Sequence, residues 1–440
     1  MATDMTKGNI PKHLISFSIP LVLGNLFQLT YNAADSIFVG RFVGTKALAA
    51  VGTANPIMNI VMFLIIGICM GASVLMSEYF GSGNIKKLKR EVSTTMISGF
   101  IFTIIIIFFC VVFTKPILQL IRTPEELIPD ATKYLRIIFF GLIFTFLYNV
   151  FAATLRAIGD SKTPLKFLMI SAILNVVMDI LFLKGFKMGV EGAAIATVTA
   201  EMFSSVFCIA YVYFKVPMLR FTRKEIVLDR VLLRTTINYS SVTAMQQTCL
   251  YVGKVLVQGA VNPLGVQAIA TFNAVNRVDD FAFMPQQSIA QAMTTFLAQN
   301  RGAKKKERMK PGLWAGLKLE SLYWVILLIA VYFSSTSLMK LFVQGNSEVV
   351  GLGVSYLQMM AFFYLLPGWT NGIQGYFRGM GDLKITLMST FMQMVGRVIA
   401  SYILAPRLGV AGIAVSCFLG WIVMLTYEVP FFVRDLKKNK

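Results

Sequence analysis

Histidine is almost absent: the 440 residues hold one, His13. A metal centre built on imidazoles is therefore excluded. Cysteine is scarce, with five residues. Cys69, Cys110, Cys208, Cys249 and Cys417 all fall inside apolar runs, where they read as small buried hydrophobes and not as a disulfide framework. Charged residues make up only 14% of the chain and are one-sided, with 41 Lys and Arg against 21 Asp and Glu. There is no low-complexity tract. The first apolar run starts after Lys12, is too long for the core of a secretory leader and lacks a cleavage motif.

Hydrophobic residues, by contrast, are 56% of the chain. A soluble domain of this length does not look like that, so the fold class is an all-α polytopic membrane protein. Spans are expected at roughly 13–38, 48–77, 93–113, 134–156, 164–183, 190–214, 236–259, 267–298, 313–334, 351–376, 384–404 and 409–433. Twelve spans of about 20 residues leave room only for short loops. The net charge of +20 does not point to nucleic acid, because most Lys and Arg sit in alternate loops: 86–90, 156–166, 215–234, 301–310 and the last residues. That asymmetry places both termini in the cytoplasm and the protein in the plasma (inner) membrane, as a multi-pass chain.

The two halves repeat. Arg156-Ala-Ile-Gly-Asp160 returns as Arg378-Gly-Met-Gly-Asp382, and Gly189-Val-Glu-Gly as Gly409-Val-Ala-Gly. FGSGNIKKLKR at 80–90 resembles NRGAKKKERMK at 300–310. Six spans each give two like-oriented, pseudo-symmetric six-helix lobes. The expected division is 1–214, a basic linker 215–235, and 236–440.

Candidate chemistry lies in the first lobe. Span 1 carries Pro20, then Gln28, Tyr31, Asn32 and Asp35 on one helix face. Span 5 carries Asn175 and Asp179, four residues apart, with Ser171 one turn back. A carboxylate inside a membrane costs about 3 kcal/mol or more and persists where it lines a polar cavity or exchanges a cation. Asp35 and Asp179 fall at similar depth. With Asn175 and carbonyls freed by Pro20 they suit a sodium ion, or they share a proton, since neighbouring carboxylates resist double ionisation. Thr197 and Glu201 of span 6 and Asn149 of span 4 add polar groups to the same cavity. In the second lobe, Lys254 falls opposite Asp35, Arg397 opposite Asn175 and Ser401 opposite Asp179. There, pairing of Lys254 and Arg277 with Asp279 and Asp280 is expected.

With these motifs in place the chain resembles the multidrug and toxic compound extrusion (MATE) family over essentially its whole length. The resemblance is carried by Pro20 and Asp35 within SIPLVLGNLFQLTYNAADSIFVGRFVG, by Arg156 to Asp160, by Asn175-x-x-x-Asp179, and by Glu191-Gly-Ala-Ala-Ile-Ala196. It implies a secondary antiporter, not an enzyme, that expels drugs or toxic organic compounds in exchange for protons or sodium. It implies coupling roles for Asp35, Asn175 and Asp179 and a bending role for Pro20. Acids that another branch carries in spans 7 and 10 are missing here; span 7 has Gln246, Gln247 and Lys254. A monomer without cofactor, with small-molecule substrates and the bilayer as partners, is expected. The alternatives are a lipid-linked saccharide flippase, which would favour a basic cavity, and a membrane-embedded enzyme, for which no nucleophile–base pair, metal set or nucleotide loop is visible.

Overall fold

The computed structural model describes residues 3–222, 225–343 and 346–438, with the side chains of Asn32 and Lys438 left out. Among the described residues the chain forms thirteen α-helices. They are α1 (Ile10–Phe42), α2 (Thr45–Gly81), α3 (Ile85–Leu120), α4 (Ile128–Ala157), α5 (Lys162–Asp179), α6 (Val190–Lys215), α7 (Arg230–Val261), α8 (Val266–Gly302), α9 (Lys306–Phe342), α10 (Ser347–Phe363), α11 (Leu365–Met380), α12 (Leu383–Leu408) and α13 (Val410–Lys438). Every span expected from the sequence is present, and most helices run several residues past the apolar run. One expected span is broken: α10 and α11 together form it, bent by 44° at Tyr364. Pro367 lies just beyond the bend, and a proline withholds the N–H that would close the turn. Nine described helices are long and apolar enough to cross a membrane, or ten with the bent pair counted once. α7 and α8 have ample length, 32 and 37 residues. They fall short in hydropathy because α7 carries Gln246, Gln247, Lys254 and Gln258, and α8 carries Arg277, Asp279, Asp280 and Gln286.

The repeat is legible in the backbone. Gly159 and Gly381 end α4 and α11 at φ of 84° and 85°, a left-handed turn that glycine adopts without steric cost. Gly189 and Gly409 open α6 and α13 at 65° and 59°. The packing repeats as well: α4 lies against α2, α3 and α6, while the α10–α11 pair lies against α8, α9 and α13.

Two compact units result, and the chain passes between them once ahead of α1 and twice inside helices. One comprises residues 1–4 and 23–244, the other 5–22 and 245–440. The later two changeovers fall within α1 and within α7. The cause is close packing by small residues. Gly67 and Gly71, one turn apart on α2, meet the backbone of α7: a methyl on Gly71 would stand 2.6 Å from the Ser240 Cα, and one on Gly67 2.5 Å from the Ala244 Cα. Thr243 Oγ1 donates to the Gly67 carbonyl at 2.5 Å and Ser240 Oγ to the Ile68 carbonyl at 2.9 Å. This is the small-xxx-small packing that draws membrane helices together. In the other unit, Leu14 and Phe17 of α1 join a core with Ala292, Met293 and Phe296 of α8.

The segment between α6 and α7 is strapped to the start of α3. Lys89 Nζ reaches Glu225 Oε1 at 3.0 Å and the Arg220 carbonyl at 2.7 Å, and Arg90 pairs with Asp229 at 3.4 Å. Ser93 Oγ donates to the Val227 carbonyl and accepts from the Val227 N–H. The Thr222 backbone N–H, Lys89 and the Thr222 hydroxyl hold the Glu225 carboxyl down at about 2. A depressed carboxylate favours the folded strap above its unfolded value of about 4.3. That contribution fades as pH falls from there through about 2. Hydrogen exchange over 216–222 and 225–229, taken relative to the intrinsic rate at each pH, should accordingly quicken on acidification through that window. Glu225→Ala should quicken it at pH 7 and abolish the added response; an unchanged pH response in the variant would rule Glu225 out.

Candidate functional site

α5 is amphipathic in the sense opposite to a soluble helix. Ile173, Val177 and Ile180 are exposed, on the face suited to lipid, while Ser171, Asn175 and Asp179 are buried against protein, Asp179 completely. The stripe is pinned to α6: Ser171 Oγ donates to the Ala200 carbonyl at 2.8 Å, and Asn175 Nδ2 donates to Thr197 Oγ1 at 3.4 Å. Asp179 is the last residue of α5. The next six, Ile180–Gly185, wind as a π turn, a local widening that recurs at functional sites.

α1 brings Asp35 to the same place. Its carboxyl lies within electrostatic reach of that of Asp179, and neither can donate to the other unless a proton lies between them. Asp35 Oδ1, both carboxyl oxygens of Asp179 and Asn175 Oδ1 are buried without a hydrogen-bond partner. Four orphaned oxygens converge here. Orphaned buried acceptors each carry a desolvation cost of roughly 1–3 kcal/mol, more when charged. The set therefore fits a proton or a small hard cation such as sodium, which oxygen donors suit. Among the described residues no group of three or more His, Cys, Asp or Glu could hold a metal ion; the set here is two acids and an amide.

The remaining sequence candidates divide. Glu201 accepts from Thr145 Oγ1 of α4, so it has a specific partner within the lobe. Tyr31 lies within electrostatic reach of Glu201 and Asp35. Asn149 turns back on its own helix and donates to the Thr145 carbonyl at 2.8 Å. Gln28 is exposed. The side chain of Asn32 lies outside the described residues. Pro20 is buried in α1 shortly before the chain changes unit.

The second lobe replaces the acidic pair with charged groups that have company. Lys254 pairs with Asp280 at 3.2 Å, both half-exposed. Asp279 does not join that pair; it turns inward and accepts from Tyr364 Oη at 2.5 Å, within electrostatic reach of Arg397. Ser401 bonds Ser416 at 2.7 Å.

Several buried polar groups escape the sequence reading. Tyr134 stands within reach of both Asp35 and Asp179, and Thr145 pairs with Glu201; nothing in the spacing of span 4 marks them. Glu91, Glu320 and Glu428 are each 0% exposed. Glu320 and Glu428 lie within expected spans, and the cost of an intramembrane acid was signal enough to single them out.

An all-α chain of two repeated helical lobes, with unpaired acids buried within its apolar helices, has the build of a membrane transporter. The sequence profile of the MatE family matches residues 20–181 and 242–403, one stretch in each half, and the chain belongs to that family. Its members are transporters and not enzymes. The chain is 28% identical over 432 residues to "Probable multidrug resistance protein YpnP" of Bacillus subtilis (strain 168), covering 96% of this chain and 94% of that one. It is 29% identical over 445 residues to "Probable multidrug resistance protein YoeA" of the same organism, covering 99% and 96%. A solved MATE family multidrug resistance transporter of the MOP superfamily, in an outward-facing conformation, superposes with a TM-score of 0.92 over 100% of this chain and 99% of that one, at 21% identity. The fold is thus the MATE fold of twelve membrane helices in two lobes.

Proposed function

We propose that this protein is an antiporter that exports lipophilic, cationic drugs or toxic organic compounds and is driven by inward movement of protons or sodium ions. The observation that carries the reading is the four buried, orphaned oxygens of Asp35, Asp179 and Asn175, with the two acids within electrostatic reach of each other. The names of the curated relatives support multidrug export. A cation arriving at the pair neutralises it and supplies what the orphaned acceptors lack. α1 has no backbone donor at Pro20, so its bend is soft there. The neutralised state then favours a different bend, and a cationic substrate loses its countercharge. Substrate and coupling ion must compete for the same acids, because a ligand shifts a conformational equilibrium only through differential affinity. Thr197 and Glu201 line the substrate path in this reading, together with Gln28, Tyr31 and Asn149; a part for Asn32 rests on its spacing in the sequence alone. The protein works as a monomer in the plasma membrane, with its termini on the side of the basic loops, the cytoplasm. The pairing of Lys254 with Asp280 weakens the lipid-phosphate alternative, which needs free basic groups.

The test is reconstitution in proteoliposomes with a panel of fluorescent cations and neutral dyes, imposing proton and sodium gradients separately. Efflux of cationic dyes under one gradient, and little without either, is the expected result. Uptake of lipid-linked saccharide with no dye movement under any gradient would replace this reading with the flippase.

A further inference from the structure

The broken span of the second lobe has a carboxyl at its break that no motif marks. Glu320 projects from the middle of α9, is 0% exposed, and neither of its carboxyl oxygens has a hydrogen-bond partner. Gln286 of α8 is 0% exposed as well; its Nε2 donates to the Tyr364 carbonyl at 2.8 Å, and its Oε1 is left without a donor. The two side chains converge on Gly368, in the first turn of α11. A methyl placed there would stand 3.2 Å from Gln286 Nε2 and 3.3 Å from Glu320 Oε2. The Gly368 N–H makes a long bond, 3.4 Å, to the Tyr364 carbonyl, and Pro367 makes none through its nitrogen. Three orphaned acceptors from two helices thus meet at the bend of a third.

The geometry points to a second proton-binding site of the transporter, formed by Glu320 and Gln286 at the break between α10 and α11. A lone carboxylate without a donor does not persist in such a place. One proton on Glu320 turns it into a donor for Gln286 Oε1. Gln286 in turn holds the Tyr364 carbonyl, so the proton braces the bend. Removing the proton leaves a charge beside Gly368 and frees Gln286, which favours a different angle between α10 and α11. This site is independent of the Asp35–Asp179 pair: it lies on other helices, in the other compact unit, and it binds a proton whatever the first site carries.

The experiment is infrared difference spectroscopy of the purified full chain in lipid, titrated from acid to alkaline pH in sodium-free buffer and again with added sodium chloride. Protonated carboxylic acids absorb in a window of their own. Glu320→Gln keeps the shape and a donor, and should fold and insert as the parent does. We expect one protonated-carboxyl band in the parent that Glu320→Gln lacks and that Asp35→Asn with Asp179→Asn retains. We also expect the pH profile of dye export to flatten in Glu320→Gln, with export at acid pH within about twofold of the parent. Absence of a band assignable to Glu320 at acid pH overturns the proposal, as does an identical pH profile. Loss of the band on sodium addition at fixed pH overturns the proton assignment in favour of a sodium site. Full gradient-driven export by the Asp35→Asn, Asp179→Asn variant would overturn the coupling role of the first lobe's pair and leave the Glu320 band in place, so the two readings fail separately.

Discussion

Asp179→Asn should reduce gradient-driven export to the uncoupled background, by on the order of 100-fold, the upper range of coupling between two ligands. The substitution keeps the shape and polarity of the side chain and removes only its ability to exchange a proton or hold a cation. Asp179 is fully buried, both its oxygens lack donors, and it faces another acid, Asp35. Its neighbour Asn175 already spends its amide on Thr197. No structural bond is therefore lost in Asp179→Asn, and the amide it introduces relieves the crowding of acceptors. The variant should insert normally and unfold at the parent's temperature or slightly above it. Asp35→Asn should behave alike, and Pro20→Ala should slow turnover more than it weakens substrate binding. The measurement is efflux from vesicles under an imposed gradient, alongside dye binding without one. Full coupled export by the Asp35→Asn, Asp179→Asn double variant would sink the mechanism.

Gly71→Ala should be strongly destabilising. The added methyl would lie 2.6 Å from the Cα and N of Ser240 and from the carbonyl carbon of Tyr239. All three are backbone atoms, so no side chain can rotate away and α7 itself must retreat. Retreat weakens the Ser240–Ile68 and Thr243–Gly67 hydrogen bonds, each worth about 1 kcal/mol. Overpacking adds roughly 1–3 kcal/mol, and the unfolding midpoint should fall by on the order of 5 °C. Gly52→Ala on the same helix is the control: nothing lies within 4 Å of a methyl there, and the midpoint should not move. The check is thermal unfolding of both variants in one detergent. A Gly71→Ala protein as stable as the control would mean that α2 and α7 do not meet as described.

The acidic pair was legible because membranes make the sequence explicit. An acid in an apolar run is costly, and the four-residue spacing of Asn175 and Asp179 sets them on one face whatever the rest of the fold does. The helices were legible for the same reason, and the repeat through its glycines. What stayed hidden depended on tertiary neighbours. Whether Asn149 faces a cavity or bonds its own helix is decided by Thr145 and not by spacing. Asp279 and Asp280 are adjacent in sequence, yet one turns to Tyr364 and the other to Lys254. The bend at Tyr364 could not be read from an apolar run of ordinary length, though Pro367 hinted at it. The changeover inside α1 and α7 follows from where Gly67 and Gly71 find a partner, which no local pattern records.

That changeover bears on how the protein is made. Residues 5–22 leave the ribosome first, yet the α8 residues that Leu14 and Phe17 pack against follow some 270 residues later. The first unit is likewise short of its partner for Gly67 and Gly71 until residues 239–244 have been synthesised. Neither unit can be finished before synthesis of the other has begun. A ribosome that stalls after residue 215 therefore yields a product with an unfilled glycine-lined seam, and a gene cut at the linker yields two products that each carry an unfilled glycine-lined or apolar seam, exposed to the quality-control proteases of the membrane. Co-expression of 1–222 and 225–440 from separate messages should rescue both, because each fragment carries the piece the other one needs.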